Sequence, residues 1–246
     1  RLSATLWPTR PAPRMMIFMR KVPLRQYWHA QAATKKAAIQ LSTPAYWADA
    51  CTHLAKRDRV MKRLIPRFGD ACLQSRGDAF VTLSRSIVGQ QVSVKSAQKV
   101  WDRFALLPAS MAPHEVLKLK VDDMRAVGLS ARKVDYLVDV ALHFANGKLH
   151  VDAWQHMDDE AIIAELVAIR GVGRWTAEMF LIFHLQRPNV LPLDDVGLIN
   201  GISRLYFSGE AVSRSEAREV AAAWKPWSTV ATWYIWRSLD PLPVAY

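Results

Sequence analysis

Two short stretches carry residues in an order that can do chemistry. Residues 165–185 run from one apolar segment through Gly171-Val172-Gly173-Arg174-Trp175-Thr176-Ala177 into another. Two glycines one residue apart permit a tight reversal and the close approach of a second backbone. If a helix starts at Arg174, the amides of Gly173 to Thr176 have no partner inside it. They then face outward as a site for an anion such as a DNA phosphate, and Arg174 adds charge. Leu191-Pro192-Leu193-Asp194-Asp195-Val196 follows, with Asp195 twenty residues after Trp175. Asp194 is expected to cap a new helix there. Asp195 is expected in its first turn, where the helix dipole favours an ionised carboxylate. Metal chemistry finds little support. The seven histidines form no paired ligand spacing, and Cys51 and Cys72 form no CxxC.

The elements that must position these residues read as helices. Apolar residues recur at three and four spacings: Phe80, Leu83 and Ile87; Val94, Ala97, Val100, Trp101 and Phe104; Leu137, Val140, Ala141 and Phe144. Ile162, Ile163, Leu166 and Ile169 repeat the pattern, as do Met179, Phe180 and Phe183, and finally Trp233, Trp236 and Leu239. No alternating run of β-branched residues competes. Ser93, Ser130 and Asp158 stand where N-caps belong, and Gly128 and Gly147 where helices should end. About nine or ten helices follow, so the fold is expected to be all-α.

Composition agrees with a packed chain. Of 246 residues 51% are apolar and 22% charged, which excludes wholesale disorder. No apolar run approaches the roughly 18 residues that cross a bilayer. The net charge of +11 is concentrated at the start, because residues 1–48 hold eight basic residues and no acid. Residues 1–44 read as a basic, proline-bearing tail that is disordered or artefactual, with Met15 or Met16 as a possible start and a composition like a transit peptide. A basic stretch over Lys56–Arg103 suits nucleic acid.

Taken together, the hairpin Gly171 to Ala177 and the segment Leu191-Pro192-Leu193-Asp194-Asp195 resemble the helix–hairpin–helix–Gly/Pro/Asp DNA glycosylase superfamily, in its 3-methyladenine DNA glycosylase II branch. Ile87-Val88-Gly89-Gln90-Gln91-Val92-Ser93 resembles the branch's Gln-bearing loop that enters the duplex. Val127-Gly128-Leu129-Ser130, with Lys133, resembles its middle helix start, and Trp224-Lys225-Pro226-Trp227 with Trp236 its C-terminal helix. The resemblance spans about residues 44–240.

The resemblance implies two helical subdomains, about 45–80 plus 190–246 and about 81–189, within a glycosylase domain over 45–246. An active-site cleft would lie between them, with no N-terminal β domain. It implies an enzyme of base excision repair that flips alkylated purines out of duplex DNA and hydrolyses the N-glycosidic bond. Asp195 would be the catalytic carboxylate, stabilising an oxocarbenium-like sugar and directing water. Trp175, Trp236, Met179 and Val196 would form the pocket, the last two standing where relatives can have Tyr. Gln90, Gln91, Ser93, Gly171, Gly173, Arg174 and Thr176 would contact DNA, with Gln91 filling the gap where relatives often use Leu. Trp175 occupies the place of the Schiff-base lysine of the lyase branch, so a monofunctional enzyme leaving an abasic site is expected. No cofactor is required; a monovalent cation on the carbonyls of Val167, Ile169 and Val172 is compatible with the family's hairpins. The expected partner is double-stranded DNA containing alkylated bases. The expected state is a monomer away from any membrane, in the cytoplasm at a bacterial nucleoid. A non-catalytic DNA-gripping module, or a glycosylase of other base specificity, is the alternative. The module accounts for the glycines and the basic stretch but not for Asp195, Trp175 and Trp236.

Overall fold

The protein is described by a computed structural model over residues 43–75 and 77–239. The tail expected over 1–44 therefore falls, apart from Thr43 and Pro44, outside the described residues. Among the described residues twelve α-helices and three 3-10 helices form, and no strand. They are α1 Trp47–Arg57, α2 Arg59–Leu64, α3 Ala79–Gly89, α4 Val94–Phe104, α5 Pro113–Val116, α6 Val121–Ala126, α7 Ala131–Ala145, α8 Asp159–Val167, α9 Arg174–Phe183, α10 Val196–Tyr206, α11 Arg214–Ala221 and α12 Ser228–Ser238. The 3-10 turns are Ile65–Phe68, Val151–His156 and Ala222–Trp224. The count exceeds nine or ten because α2, α5 and α6 have six, four and six residues, too few to show a repeating stripe.

Capping explains most boundaries. Ser93 and Ser130 accept the amides of Ser96 and Lys133, each at 3.3 Å. Asp158 holds the cap position of α8 but makes no side-chain cap bond, contrary to expectation. Gly128 and Gly147 take positive φ just past α6 and α7.

The buried apolar residues form one continuous core, part of which runs from α3 and α7 to α9 through edge-on aromatics. Phe80 meets Phe144 at 5.5 Å, Phe144 meets Trp154 at 6.4 Å, and Trp154 meets Phe180 at 5.4 Å. The same core continues around α12, which is buried from Ser228 to Arg237. There Trp47 meets Trp233 at 5.2 Å and Tyr234 lies 4.9 Å from Trp233.

Two contacts fix α10 against this part of the core. A Cβ on Gly201 would lie 2.1 Å from Ile235 Cγ2, so only glycine lets α10 and α12 approach this closely. At the far end of α10, Tyr206 donates its hydroxyl to Asp58 at 2.7 Å. Asp58 caps α2 by accepting the amides of Val60 and Met61, and it also accepts the Trp224 indole N–H at 2.9 Å. The first turn of α12 clamps the strap that leads into α10: Val190 N donates to Thr229 Oγ1 at 2.9 Å, and Ser228 donates to Asn189 at 2.7 Å.

Candidate active site

Asp195 ends that strap. Its amide donates to the Pro192 carbonyl at 3.0 Å, which turns the chain, and its own carbonyl accepts the Ile199 amide as α10 begins. Asp195 is therefore the N-cap itself rather than a first-turn residue. Its Oδ1 accepts the Leu198 amide at 2.6 Å. Asp194, expected as the cap, turns outward and pairs with Arg214 at 2.5 Å.

Asp195 is only 4% exposed, and two indoles close on it. Trp236 donates Nε1–H to Oδ1 at 2.8 Å, and Trp175 donates Nε1–H to Oδ2 at 2.9 Å. An indole N–H is a donor only, so the carboxylate is held purely as an acceptor. A carboxylate has about four acceptor positions. Among the described residues three are filled, and the open one is on Oδ2. The spacing of Gly201 against Ile235 is what brings Trp236, the next residue of α12, within reach of Asp195.

The expected pocket residues divide. Trp175 and Met179 are half-buried one turn apart on α9, hence on one face, and Val196 follows Asp195 with 57% exposure. Of the three, Trp175 is placed against Oδ2 by its indole N–H. Trp236 was expected as a stacking wall. Instead it is buried and stacked on Phe183 at 5.7 Å, and it reaches the site through its N–H.

The hairpin between α8 and α9 forms as expected. Gly171 has φ +85°, and a Cβ there would lie 2.3 Å from the Tyr136 ring. Gly173 caps α9 with open space around it. Gly173 and Arg174 are exposed and Thr176 is buried, and the ladder of α9 begins with the Ala177 amide donating to the Gly173 carbonyl at 3.0 Å. Arg174 also departs from expectation. Its guanidinium is held by Glu160, at 2.9 and 2.5 Å, and by Glu178 at 3.1 Å. It is thus committed to acids rather than standing free for a phosphate.

Glu178 is a residue that the spacing rules passed over. It is buried, its Oε2 has no partner among the described residues, and burial pushes its carboxyl upward against the opposing pull of Arg174. The only signal was an acid four residues after Arg174 in an otherwise apolar helix.

The Gln-bearing loop lies next to the hairpin. Gln90 donates Nε2–H to the Gly171 carbonyl at 2.8 Å, so its amide braces the hairpin. Gln91 is exposed at φ +58°, at the tip of the turn between α3 and α4. Ser93 is occupied in capping α4.

The chain belongs to the HhH-GPD superfamily of base excision DNA repair proteins, which it matches over residues 84–228. It is similar to DNA-3-methyladenine glycosylase 1 of Schizosaccharomyces pombe, with 30% identity over 193 residues, covering 76% of this chain and 85% of that protein. The crystal structure of DNA-3-methyladenine glycosidase from Bacillus halodurans superposes with a TM-score of 0.72 and 33% identity, over 77% of this chain and 88% of that one. The S. pombe 3-methyladenine DNA glycosylase in complex with abasic DNA superposes with a TM-score of 0.70 and 29% identity, over 80% of this chain and all of that one.

Proposed function

We propose that the chain is a monofunctional DNA-3-methyladenine glycosylase of base excision repair. The observation that carries the reading is Asp195, buried at a helix N-cap between two indole donors, with its one open acceptor position beside Trp175. In the proposed reaction the lesion is rotated out of the duplex, at a cost of a few kcal/mol, and Gln91 enters the gap. An alkylated purine is cationic and stacks on Trp175 by cation–π attraction, while Met179 and Val196 complete the wall. The C1′–N bond then breaks, and its electron pair leaves with the purine. Asp195 faces the oxocarbenium-like sugar that results and accepts the proton of the water that adds to C1′. Trp175 cannot form a Schiff base, so the product is free base and an intact abasic strand.

Gly173 and Arg174 would offer their amides to a DNA phosphate, and Gly171 shapes the turn that presents them. Hydrolysis of this kind calls for no cofactor. A monovalent cation fits the hairpin because the C-terminal carbonyls of α8 form the negative end of a helix dipole; Val167, Ile169 and Val172 would hold it and draw the phosphate closer. The protein would act as a monomer, since one continuous duplex must enter a cleft between subdomains of about 45–80 plus 190–246 and about 81–189. Its place would be the cytoplasm of a bacterium, at the nucleoid.

The test is base release from methylated duplex DNA. Wild-type protein is expected to liberate methylpurine without strand cleavage, and Asp195→Asn to lose about a hundredfold or more. Duplex binding with a steep salt slope but no base release would replace the enzyme with a DNA-gripping module. Strand cleavage without added alkali would overturn the use of Trp175 to exclude lyase chemistry.

A further inference from the structure

One face of α7 is attached to both turns that flank the site. Lys133, Tyr136 and Asp139 follow one another at steps of three, which keeps them on one side of the helix. Lys133 donates Nζ–H to the Val88 carbonyl at 2.7 Å, at the C-terminal end of α3 and two residues before Gln90. Tyr136 lies against Gly171. Asp139 accepts the Arg170 amide at 2.7 Å and pairs with its guanidinium at 3.2 Å. Gln90 closes the triangle by donating to the Gly171 carbonyl at 2.8 Å. α7 thus serves as a rail on which the insertion loop and the hairpin are both mounted.

Lys133 is the member of this set that nothing in helix formation requires. Its ammonium sits among the last carbonyls of α3, where a cation suits the dipole. It is partly buried, and desolvation lowers its pKa, yet the contact is kept. Its own helix is already capped by Ser130. Past Val88 the chain leaves α3 through an extended Gln90 into the left-handed Gln91. Where α3 stops therefore sets where the tip of Gln91 lies.

We infer that Lys133 is a positioning residue for insertion: by holding the Val88 carbonyl it fixes the Gln91 tip relative to the hairpin, so that gripping the backbone and filling the stack happen in register. The inference rests on the glycosylase reading and adds a residue to it.

The test compares wild type, Lys133→Met and Lys133→Arg on one lesion in two settings, a fully paired duplex and an unpaired bubble. Lys133→Met is expected to slow release about tenfold or more from the paired duplex. From the bubble, where the base is already unstacked, it should slow release by no more than about threefold. Lys133→Arg, which keeps a donor, should recover most of the rate. A second readout needs no catalysis: 2-aminopurine beside an abasic-site analogue should brighten when wild type or Lys133→Arg binds, and much less with Lys133→Met. Equal losses on both substrates, or unchanged 2-aminopurine brightening, overturn the role of Lys133. Wild type that releases base from neither substrate overturns the glycosylase reading instead.

Discussion

Asp195→Asn, the obvious substitution for testing the site, should do more than remove a charge. An asparagine can cap α10 as well as an aspartate. Its Oδ1 can keep the Leu198 amide and the Trp236 indole, which share one oxygen. Nδ2 must then face Trp175 Nε1, now 2.9 Å from Oδ2, and two donors oppose each other in a buried site. The flipped amide is worse, because Nδ2 would meet two donors. One buried unsatisfied contact costs about 1–3 kcal/mol. For a fold of this size that is roughly 2–4 °C of Tm per kcal/mol, so a fall of about 2–12 °C is expected. Trp175→Phe removes the opposing donor, and its effect should change sign with the background. In the wild type it strips a hydrogen bond from a buried carboxylate and lowers Tm. In Asp195→Asn it relieves the clash and raises Tm. Activity should not return in the double variant, because the lost attraction between a unit charge and the sugar cation is about 4 kcal/mol at ~4 Å and an effective dielectric of ~20. That corresponds to about a thousandfold for a full cation and less for one partly developed. The assay is thermal unfolding of all four proteins with base release measured in parallel. Equal, additive Tm losses from Trp175→Phe in both backgrounds would refute the geometry.

Three further outcomes follow from the structure. Gly171→Ala places a Cβ 2.3 Å from the Tyr136 ring at φ +85°, and should lower stability by about 2–4 kcal/mol in denaturant unfolding and weaken duplex binding. Gly201→Ala should push α10 from α12 by meeting Ile235, costing about 1–3 kcal/mol and slowing base release as Trp236 loses Asp195. Glu178→Gln should raise Tm by a few degrees at pH 8. Burial holds the Glu178 carboxyl above the ordinary range, so its ionisation works against the fold at high pH and ceases to as pH falls toward about 4.5. The gain should therefore shrink on acidification, and a gain independent of pH would count against it.

Much of this arrangement could be read from residue order, because periodicity and glycine placement are local properties. The stripe Phe80, Leu83, Ile87 became α3, and the turn of Gly171 and Gly173 became the hairpin. Neighbouring residues of one type were harder. Asp194 and Asp195 are alike as letters, and it is the Leu198 amide donating to Asp195 Oδ1 that shows which one caps. Trp236 carries no mark that its N–H, rather than its face, is what meets the site. Arg174 looked free because Glu160 lies fourteen residues away. Lys133 and Val88 are 45 residues apart, and nothing local to either announces the contact.

Asp58 and Asp195 are near-duplicates. Each is a buried helix N-cap that takes an amide from the first turn of its helix and an indole N–H from a distant tryptophan. They differ by one hydrogen bond. Asp58 accepts four, from Val60, Met61, Tyr206 and Trp224, and is saturated. Asp195 accepts three among the described residues. The same motif therefore makes a saturated rivet at one end of α10 and, in the proposed reaction, a reagent at the other. An engineer wishing to silence the reagent without disturbing its charge or its cap would only need to supply a fourth donor.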